Sequence, residues 1–293
     1  YAAATIAGVF DLPTAVKAVS MRARLMNAAP RGVMVAVPCG PADIAGLLDG
    51  EVDVAAVNDP GSCVVAGSQS AIAEFTARLG DKGIAARRVR TSHAFHSRLM
   101  DGVVAEFTAF LSQLTLHEPE IPLMSNISGT WMSADEATNP ATWARQIRAT
   151  VRFADEVGTL LTDPTRVLVE VGPGGTLTGA AARHPSWSDR HRAVRLMRHP
   201  AQNRDDATTF LLGLGALWAA GVEVDLDGTA DPGRRVTLPG YPFARQRHWV
   251  EHNTAARFVG SGTIGADASA DAAVTATRSG QSPMEDVLGR IWA

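Results

Sequence analysis

The sequence predicts an α/β fold in which a larger α/β unit carries an inserted ferredoxin-like subdomain. Residues 32–90 give the first indication, because short apolar runs and helical periodicities alternate there in the order β-α-β-β-α-β. Helical patterns precede and follow this stretch, which indicates that it interrupts a larger unit. A buried strand pattern at residues 167–171 then runs into a glycine turn and a helix, a step that α/β units repeat.

The start of the chain shows apolar side chains at helical spacing. They are Ile6, Val9, Phe10, Ala15, Val16, Val19 and Leu25. Asp11-Leu12-Pro13 marks a helix start, since proline is tolerated in a first turn, where its missing N–H is not needed. In the inserted subdomain the patterns predict strands at 32–38, 52–57, 63–66 and 84–90, helices at 41–48 and 70–79, and a turn at 58–61.

The larger unit resumes after residue 90. Its patterns predict helices at 97–111, 143–149, 153–161 and 207–219, and strands near 122–127 and at 167–171. Gly221 ends the last of these helices, as glycine often does. Farther along, Pro239 and Pro242 prevent a helix and favour an extended strap. Residues 253–283 are rich in small and polar side chains and predict a flexible linker, after which an amphipathic helix begins at Met284.

Composition limits the classes of function. A chain of 293 residues with a net charge of -3 and 46% hydrophobic residues suits one or two globular domains with a sizeable core. The balanced charge argues against nucleic acid or an anionic membrane as a partner, and no apolar run reaches the roughly 18 residues of a membrane span. The two cysteines, Cys39 and Cys63, lie in apolar strand-like runs, where we expect buried free thiols in a reducing compartment, the cytoplasm.

Two histidines and two arginines are candidates for chemistry. His93 and His96 lie in an apolar, aromatic segment, and Arg22 and Arg24 lie at the end of a predicted helix. A histidine can move a proton and an arginine can hold a carboxylate, which together suit an acyl-transfer site. The residues alone leave solvated or satisfied side chains open as the alternative. No metal site is predicted, because the histidine pair lacks a third ligand and neither HExxH nor CxxC occurs.

A glycine-rich stretch, Val171-Gly172-Pro173-Gly174-Gly175-Thr176, lies between a predicted strand and a predicted helix. Such a position suits a phosphate-binding loop, but Pro173 lies inside the turn and Leu177 stands where the dinucleotide fingerprint has its third glycine. The sequence therefore favours a tight turn that needs small residues.

A series of short motifs follows along residues 1–250. They are Tyr1-Ala2-Ala3, Asn58-Asp59-Pro60-Gly61, Val64-Val65-Ala66-Gly67, His93-Ala94-Phe95-His96, Pro122-Leu123-Met124-Ser125-Asn126, Thr150-Val151-Arg152-Phe153, Glu170-Val171-Gly172-Pro173-Gly174 and Leu177-Thr178-Gly179. In this order they resemble the acyltransferase domain of modular type I polyketide synthases, which is similar to malonyl-CoA:ACP transacylases. The resemblance implies an α/β-hydrolase-like acyltransferase core, the N-terminal part of which is missing from this chain.

The resemblance also implies the catalytic parts. In the family a Gly-His-Ser-x-Gly-Glu nucleophile elbow directly precedes the Tyr-Ala-Ala stretch, so the nucleophilic serine is expected just before Tyr1, outside the chain. His96 closes its motif and takes the place of the catalytic histidine, which activates that serine. Arg22 takes the place of the arginine that binds the substrate carboxylate, in a bidentate manner that lysine does not match.

Other positions are implied to shape the substrate site. His93 and Phe95 correspond to residues beside the α-carbon of the substrate, and the reading His-Ala-Phe-His is typical of members that select malonyl-CoA over methylmalonyl-CoA. Asn58, Asn126 and Arg152 lie in further motifs of the family, and the backbone carbonyl at the position of Arg152 is expected to orient the catalytic histidine.

The resemblance extends to partners. Residues 238–250 resemble the linker that folds back onto the ketosynthase domain, and the final helix resembles the start of an acyl carrier domain, whose phosphopantetheine lies downstream of this chain. No cofactor is expected within the segment, and the parent is expected to be a cytoplasmic homodimer.

The expected domain divisions are 1–29 and 91–223 for the large acyltransferase subdomain, 30–90 for the ferredoxin-like one, 224–252 and 253–283 for the two linkers, and 284–293 for the start of the carrier domain.

Two other functions stay open on the sequence alone. One is a non-catalytic scaffold and linker segment that positions the ketosynthase and the carrier. The other is a serine hydrolase of related fold, although a hydrolase has no acyl carboxylate to hold and would lack a positioned arginine. Without the serine elbow and the loop that completes the oxyanion hole, this segment alone is expected to be inactive.

Overall fold

Two helices precede the first sheet in the computed structural model, which describes residues 1–225 and 236–243. Helix α1 spans Ala2–Ile6 and helix α2 spans Leu12–Ala28. Asp11 caps α2, because its carboxylate accepts a hydrogen bond from the Thr14 amide at 2.7 Å. With Pro13 in the first turn, the predicted helix start is confirmed.

The inserted subdomain is a four-stranded antiparallel sheet with helices packed against it. Its elements are β1 (Val33–Val37), α3 (Pro41–Ile44), β2 (Val52–Asp59), β3 (Ser62–Gly67), α4 (Gln69–Asp81) and β4 (Arg87–Arg88). The strand order is β2-β3-β1-β4, which confirms the predicted ferredoxin-like subdomain and leaves β2 at an edge. Phe75 of α4 is fully buried against the sheet. Cys63 is buried in the same core and Cys39 is half-buried, and both are free thiols.

The larger unit continues after this sheet. Its elements are α5 (Asp101–Leu111), β5 (Met124–Ser125), β6 (Thr130–Trp131), α6 (Ala134–Thr138), α7 (Pro140–Arg145), α8 (Phe153–Leu160), β7 (Val167–Pro173), α9 (Thr176–Ala182), β8 (Arg192–Met197) and α10 (Asp206–Ala219). Strands β5 and β6 pair antiparallel, whereas β7 and β8 pair in parallel, as an α/β unit requires. Phe10, Phe107 and Trp143 lie in one core that joins α5 and α7 to the first two helices.

Several element bounds differ from the prediction. The strand predicted at 84–90 is reduced to Arg87–Arg88, and the one near 122–127 to Met124–Ser125. The helix predicted from 97 begins with the 3-10 turn Arg98–Met100. The helix predicted at 143–149 begins earlier, because the side chain of Asn139 accepts a hydrogen bond from the Ala141 amide at 2.9 Å and caps α7.

Strand β8 was not predicted. Arg192 and Arg195 interrupt its apolar residues, and Val194 is its one buried residue. A half-buried strand with charged residues carries a weak apolar signal, so its pairing with β7 decides the structure.

Residues 236–243 form neither helix nor strand, in agreement with the prediction from their two prolines. They belong to a second unit, Asp225–Ala293. Most of the proposed ketosynthase linker, the flexible linker and the final helix lie outside the described residues. In the described part of the chain, no helix is both long enough and apolar enough to cross a membrane.

Candidate active site

His96 has an unusual backbone conformation. Its φ is 57°, in the left-handed region, and it is the one residue other than glycine with a positive φ among those described. A conformation of this kind costs roughly 1–3 kcal/mol and persists where surrounding contacts enforce it. Here the His96 amide donates to the Ile147 carbonyl at 3.2 Å, and the Ser97 hydroxyl donates to the Ala94 carbonyl at 2.6 Å.

Gly32 allows this loop to lie close to the first strand. A Cβ at Gly32 would lie 2.5 Å from the Cβ of Ala94, which is fully buried. Any side chain at position 32 would therefore displace the segment that carries His96.

The imidazole of His96 is held in one tautomer. Its Nδ1 lies 2.9 Å from the carbonyl oxygen of Ala149, and a carbonyl oxygen can only accept. Nδ1 therefore carries the proton in the neutral ring, which leaves the lone pair of Nε2 free to act as a base. The carbonyl that accepts this bond belongs to Ala149, and not to Arg152 as predicted.

Burial favours the neutral form of His96. It lowers the pKa of the imidazole below its ordinary value of 6.5, and the positive charge of Arg22 acts in the same direction. The hydrogen bond to Ala149 opposes both effects without cancelling them. At neutral pH the ring is thus an uncharged base within the electrostatic influence of a cation, which suits proton abstraction.

Arg22 lies on α2 with its guanidinium carbon 5.7 Å from the centroid of the Tyr1 ring. Burial lowers the pKa of Arg22, and its Nε is buried without a hydrogen-bond partner among the described residues. A desolvated guanidinium with an unused donor is a ready site for an anion. Arg24, the other candidate, is exposed and contacts the sulfur of Met21.

His93 and Phe95 lie beside one another, with ring centroids 5.9 Å apart. His93 is 3% exposed, and its Nδ1 lies 2.8 Å from the hydroxyl of Ser92. Its Nε2 is buried without a partner in the described structure. Phe95 is half-buried and packs against two of the hydrophobic clusters.

The other three predicted substrate-site residues, Asn126, Arg152 and Asn58, do not all line one cavity. Asn126 lines a cavity of about 320 Å³, and its carbonyl accepts a hydrogen bond from the Arg152 amide at 2.9 Å. The side chain of Arg152 is 50% exposed and donates to Asp155 at 2.7 Å, so it is directed to the surface. Asn58 lies near the end of β2 and is not among the residues that line this cavity.

Residues missed by the sequence analysis line the same cavity. Tyr1 and Gln146 do so, although His96 and Arg22 themselves do not. The Oε1 of Gln146 is buried and unpartnered in the part of the chain that the structure describes. Burial, with a contribution from Asp155, raises the pKa of Glu156 to about 7. An unpaired polar group inside an apolar helix pattern gives no distinct sequence signal, which explains the omission.

The glycine-rich stretch forms the predicted tight turn, with Gly174 at a φ of 102°. The amides at the start of α9 are already bonded to Glu170, whose carboxylate accepts from the Leu177 amide at 3.2 Å and the Thr178 amide at 2.8 Å. A phosphate would have to displace this carboxylate, so the arrangement is structural.

Comparison with known proteins assigns the chain to a family. The family described as "Acyl transferase domain" matches residues 1–224, and the chain belongs to it. A phenolphthiocerol/phthiocerol polyketide synthase of Mycobacterium tuberculosis is 54% identical over 303 residues, which cover 100% of this chain and 20% of the relative. The chain therefore spans a fifth of the length of that curated relative.

Solved structures agree with the assignment. The acyltransferase domain from the second module of the salinomycin polyketide synthase has a TM-score of 0.72 and 38% identity, covering 82% of this chain and 57% of that one. FabD from Acinetobacter baumannii has a TM-score of 0.64 and 26% identity, covering 74% of this chain and 68% of that one. The acyltransferase fold inferred from the sequence motifs is confirmed.

Proposed function

We propose that this segment moves a malonyl extender unit from coenzyme A to an acyl carrier protein within a type I polyketide synthase. The observation that carries the proposal is the arrangement at His96, a neutral, tautomerically fixed imidazole whose pKa responds to the positive charge of the half-buried Arg22. A base and an anion ligand that act on one another electrostatically fit the transfer of an acyl group that bears a carboxylate.

In the proposed reaction His96 moves one proton in each direction. Its Nε2 takes the proton of a serine hydroxyl while the serine oxygen attacks the thioester carbonyl, and it returns the proton to the departing coenzyme A thiolate. In the second half Nε2 takes the proton of the carrier thiol, whose sulfur attacks the serine ester, and returns it to the serine oxygen. Arg22 holds the malonyl carboxylate throughout, which fixes the position of the reacting carbonyl.

The proposed reaction also needs a nucleophilic serine and two partner domains. The serine lies upstream of Tyr1, the thiol belongs to the phosphopantetheine of an acyl carrier domain, and residues 238–250 contact the ketosynthase of a homodimeric synthase. Support comes from the polyketide synthase relatives and from the family match. The cytoplasm is the proposed location.

The pH dependence of acylation tests the role of His96 as a neutral base. In a full-length synthase carrying this segment, the single-turnover rate of acyl-enzyme formation should be constant through neutral pH and decrease below 6.5, because the pKa of His96 lies under that value. The measurement is quench-flow with labelled malonyl-CoA across a pH series. A rate that still increases between neutral and alkaline pH would reveal a base of higher pKa and contradict the proposal.

Selectivity for malonyl-CoA is expected to depend on the ring pair of His93 and Phe95. The bulk of Phe95 crowds an α-methyl branch, and exclusion of one methyl is worth about 1–3 kcal/mol, or roughly 10–200-fold. Phe95→Ser combined with His93→Tyr should erode this preference without inverting it. Competition between malonyl-CoA and methylmalonyl-CoA measures the ratio, with Phe210→Ser on an exposed helix face as control. A methylmalonyl preference in the unmodified synthase would disprove the assignment.

A further inference from the structure

Asp53 carries a partly buried carboxylate that the proposed reaction does not use. It lies on β2, the edge strand of the inserted sheet, and its side chain is 15% exposed. Burial opposes its charge, but the hydrogen bonds from Arg98 and the charge of Arg148 outweigh that effect and lower its pKa. The carboxylate is thus ionised at neutral pH and bridges two arginines from outside its own subdomain.

One of its partners lies two residues after His96. The Oδ2 of Asp53 accepts from the backbone amide of Arg98 at 2.8 Å and from its Nε at 3.1 Å. The Oδ1 accepts from Nη2 of the same arginine at 3.2 Å. A carboxylate that binds both the main chain and the guanidinium fixes the backbone of the loop that carries the histidine.

The other partner directly precedes the carbonyl that orients His96. Arg148 donates from Nη2 to Oδ1 of Asp53 at 3.3 Å, and the next residue is Ala149. The segment that follows also attaches to β2. The Thr150 hydroxyl donates to the Val54 carbonyl at 2.6 Å, and the Val151 amide donates to the Ala55 carbonyl at 2.9 Å.

We propose that Asp53 is a positioning residue. It fixes His96 and its hydrogen-bond acceptor, the Ala149 carbonyl, at their positions relative to one another. A single carboxylate joins the loop of the base to the loop of the group that sets its tautomer. The inserted subdomain thereby organises the catalytic histidine. This inference rests on the proposed acyl-transfer function.

Loss of the carboxylate would remove the group that Arg98 and Arg148 share. Arg148 would keep only its 2.6 Å ion pair with Asp101, and Arg98 only a 3.9 Å ion pair with Glu51. We expect the two loops to separate, which lengthens the hydrogen bond between His96 Nδ1 and the Ala149 carbonyl. A small misplacement of a reacting group is enough for a large loss of rate.

Asp53→Asn in a full-length synthase tests the inference. We expect kcat for malonyl acylation to decrease by about 10- to 100-fold while KM for malonyl-CoA stays within about twofold, because the base and not the binding site is disturbed. Asp49→Asn is the matched control, since Asp49 forms a 2.6 Å ion pair with Arg78 in the same subdomain. It should leave both constants unchanged.

The pH profile separates positioning from a general loss of structure. The Ala149 bond raises the pKa of His96, while burial and the charge of Arg22 on α2 lower it. Weakening that bond should move the acidic limb of the Asp53→Asn profile to lower pH, whereas partial unfolding would scale the rate equally at every pH. Arg148→Gln should shift the limb in the same direction, because it releases the same loop.

Two results would overturn the role of Asp53. One is an equal loss for Asp53→Asn and Asp49→Asn, and the other is an unshifted acidic limb in a folded Asp53→Asn protein. His96→Ala in the same experiment distinguishes failure of the proposed acyl-transfer function from failure of the positioning role alone. If His96→Ala still acylates normally, the proposed function fails. If His96→Ala is inactive and Asp53→Asn matches its control, only the positioning role fails.

Discussion

Replacement of His96 by alanine is expected to lower the rate of acyl-enzyme formation by about two to four orders of magnitude, the usual contribution of a general base. The imidazole is held by its Nδ1 bond to Ala149, it is largely buried, and its lowered pKa keeps Nε2 unprotonated at neutral pH. Alanine removes the only group to which the proposed mechanism assigns the proton. Quench-flow acylation of a full-length synthase with labelled malonyl-CoA measures the loss.

Two further histidine variants serve as controls for the loss of acylation in His96→Ala. His93→Ala should alter substrate preference or stability more than the acylation rate, because His93 is buried against Phe95 and bonds to Ser92. His117→Ala, at an exposed position, should have no effect. If His93→Ala abolished acylation and His96→Ala did not, the assignment of the base within this motif would be wrong.

Arg22→Ala should impair malonyl loading severely while sparing or improving acetyl loading. Malonyl carries a free carboxylate and acetyl does not, so only malonyl loses a charge-assisted hydrogen bond. Stranding a buried charged partner costs about 2–5 kcal/mol, or roughly 30- to 5000-fold in loading efficiency. The ratio of the two kcat/KM values in the full-length synthase measures this effect directly.

Arg24→Ala is the matched control for Arg22. It removes the same side chain from the same helix at an exposed position, so the ratio of malonyl to acetyl loading should not change. Equal losses for both acyl groups in Arg22→Ala would show that the arginine stabilises the helix or the Tyr1 contact and does not hold a substrate carboxylate.

The sequence predicted the inserted subdomain well because its core is repetitive and local. Residues such as Val35 and Val65 on the strands and Phe75 and Leu79 on α4 give clear periodicities of two and of 3.6. Strand β8 was not predicted because only Val194 is buried there, so its apolar pattern is weak.

At the candidate site, the motif identified His96 but could not identify its acceptor. A backbone carbonyl has no side-chain signature, and its position depends on how residues 148–152 attach to the edge of β2. The same reasoning applies to Asp53, which reads as an ordinary polar residue of an alternating strand. Its two arginine partners are 45 and 95 residues away, so only the folded chain brings them together.

A pulse-chase experiment with labelled malonyl-CoA decides between acyl transfer and other chemistry. The full-length synthase is mixed with the labelled substrate, and the label is followed on the protein, on the carrier thiol and as free malonate. We expect a stable serine ester that forms only when His96 is present and that passes its label to the phosphopantetheine thiol. Rapid release of free malonate with no label on the carrier would contradict the transferase function and indicate a hydrolase.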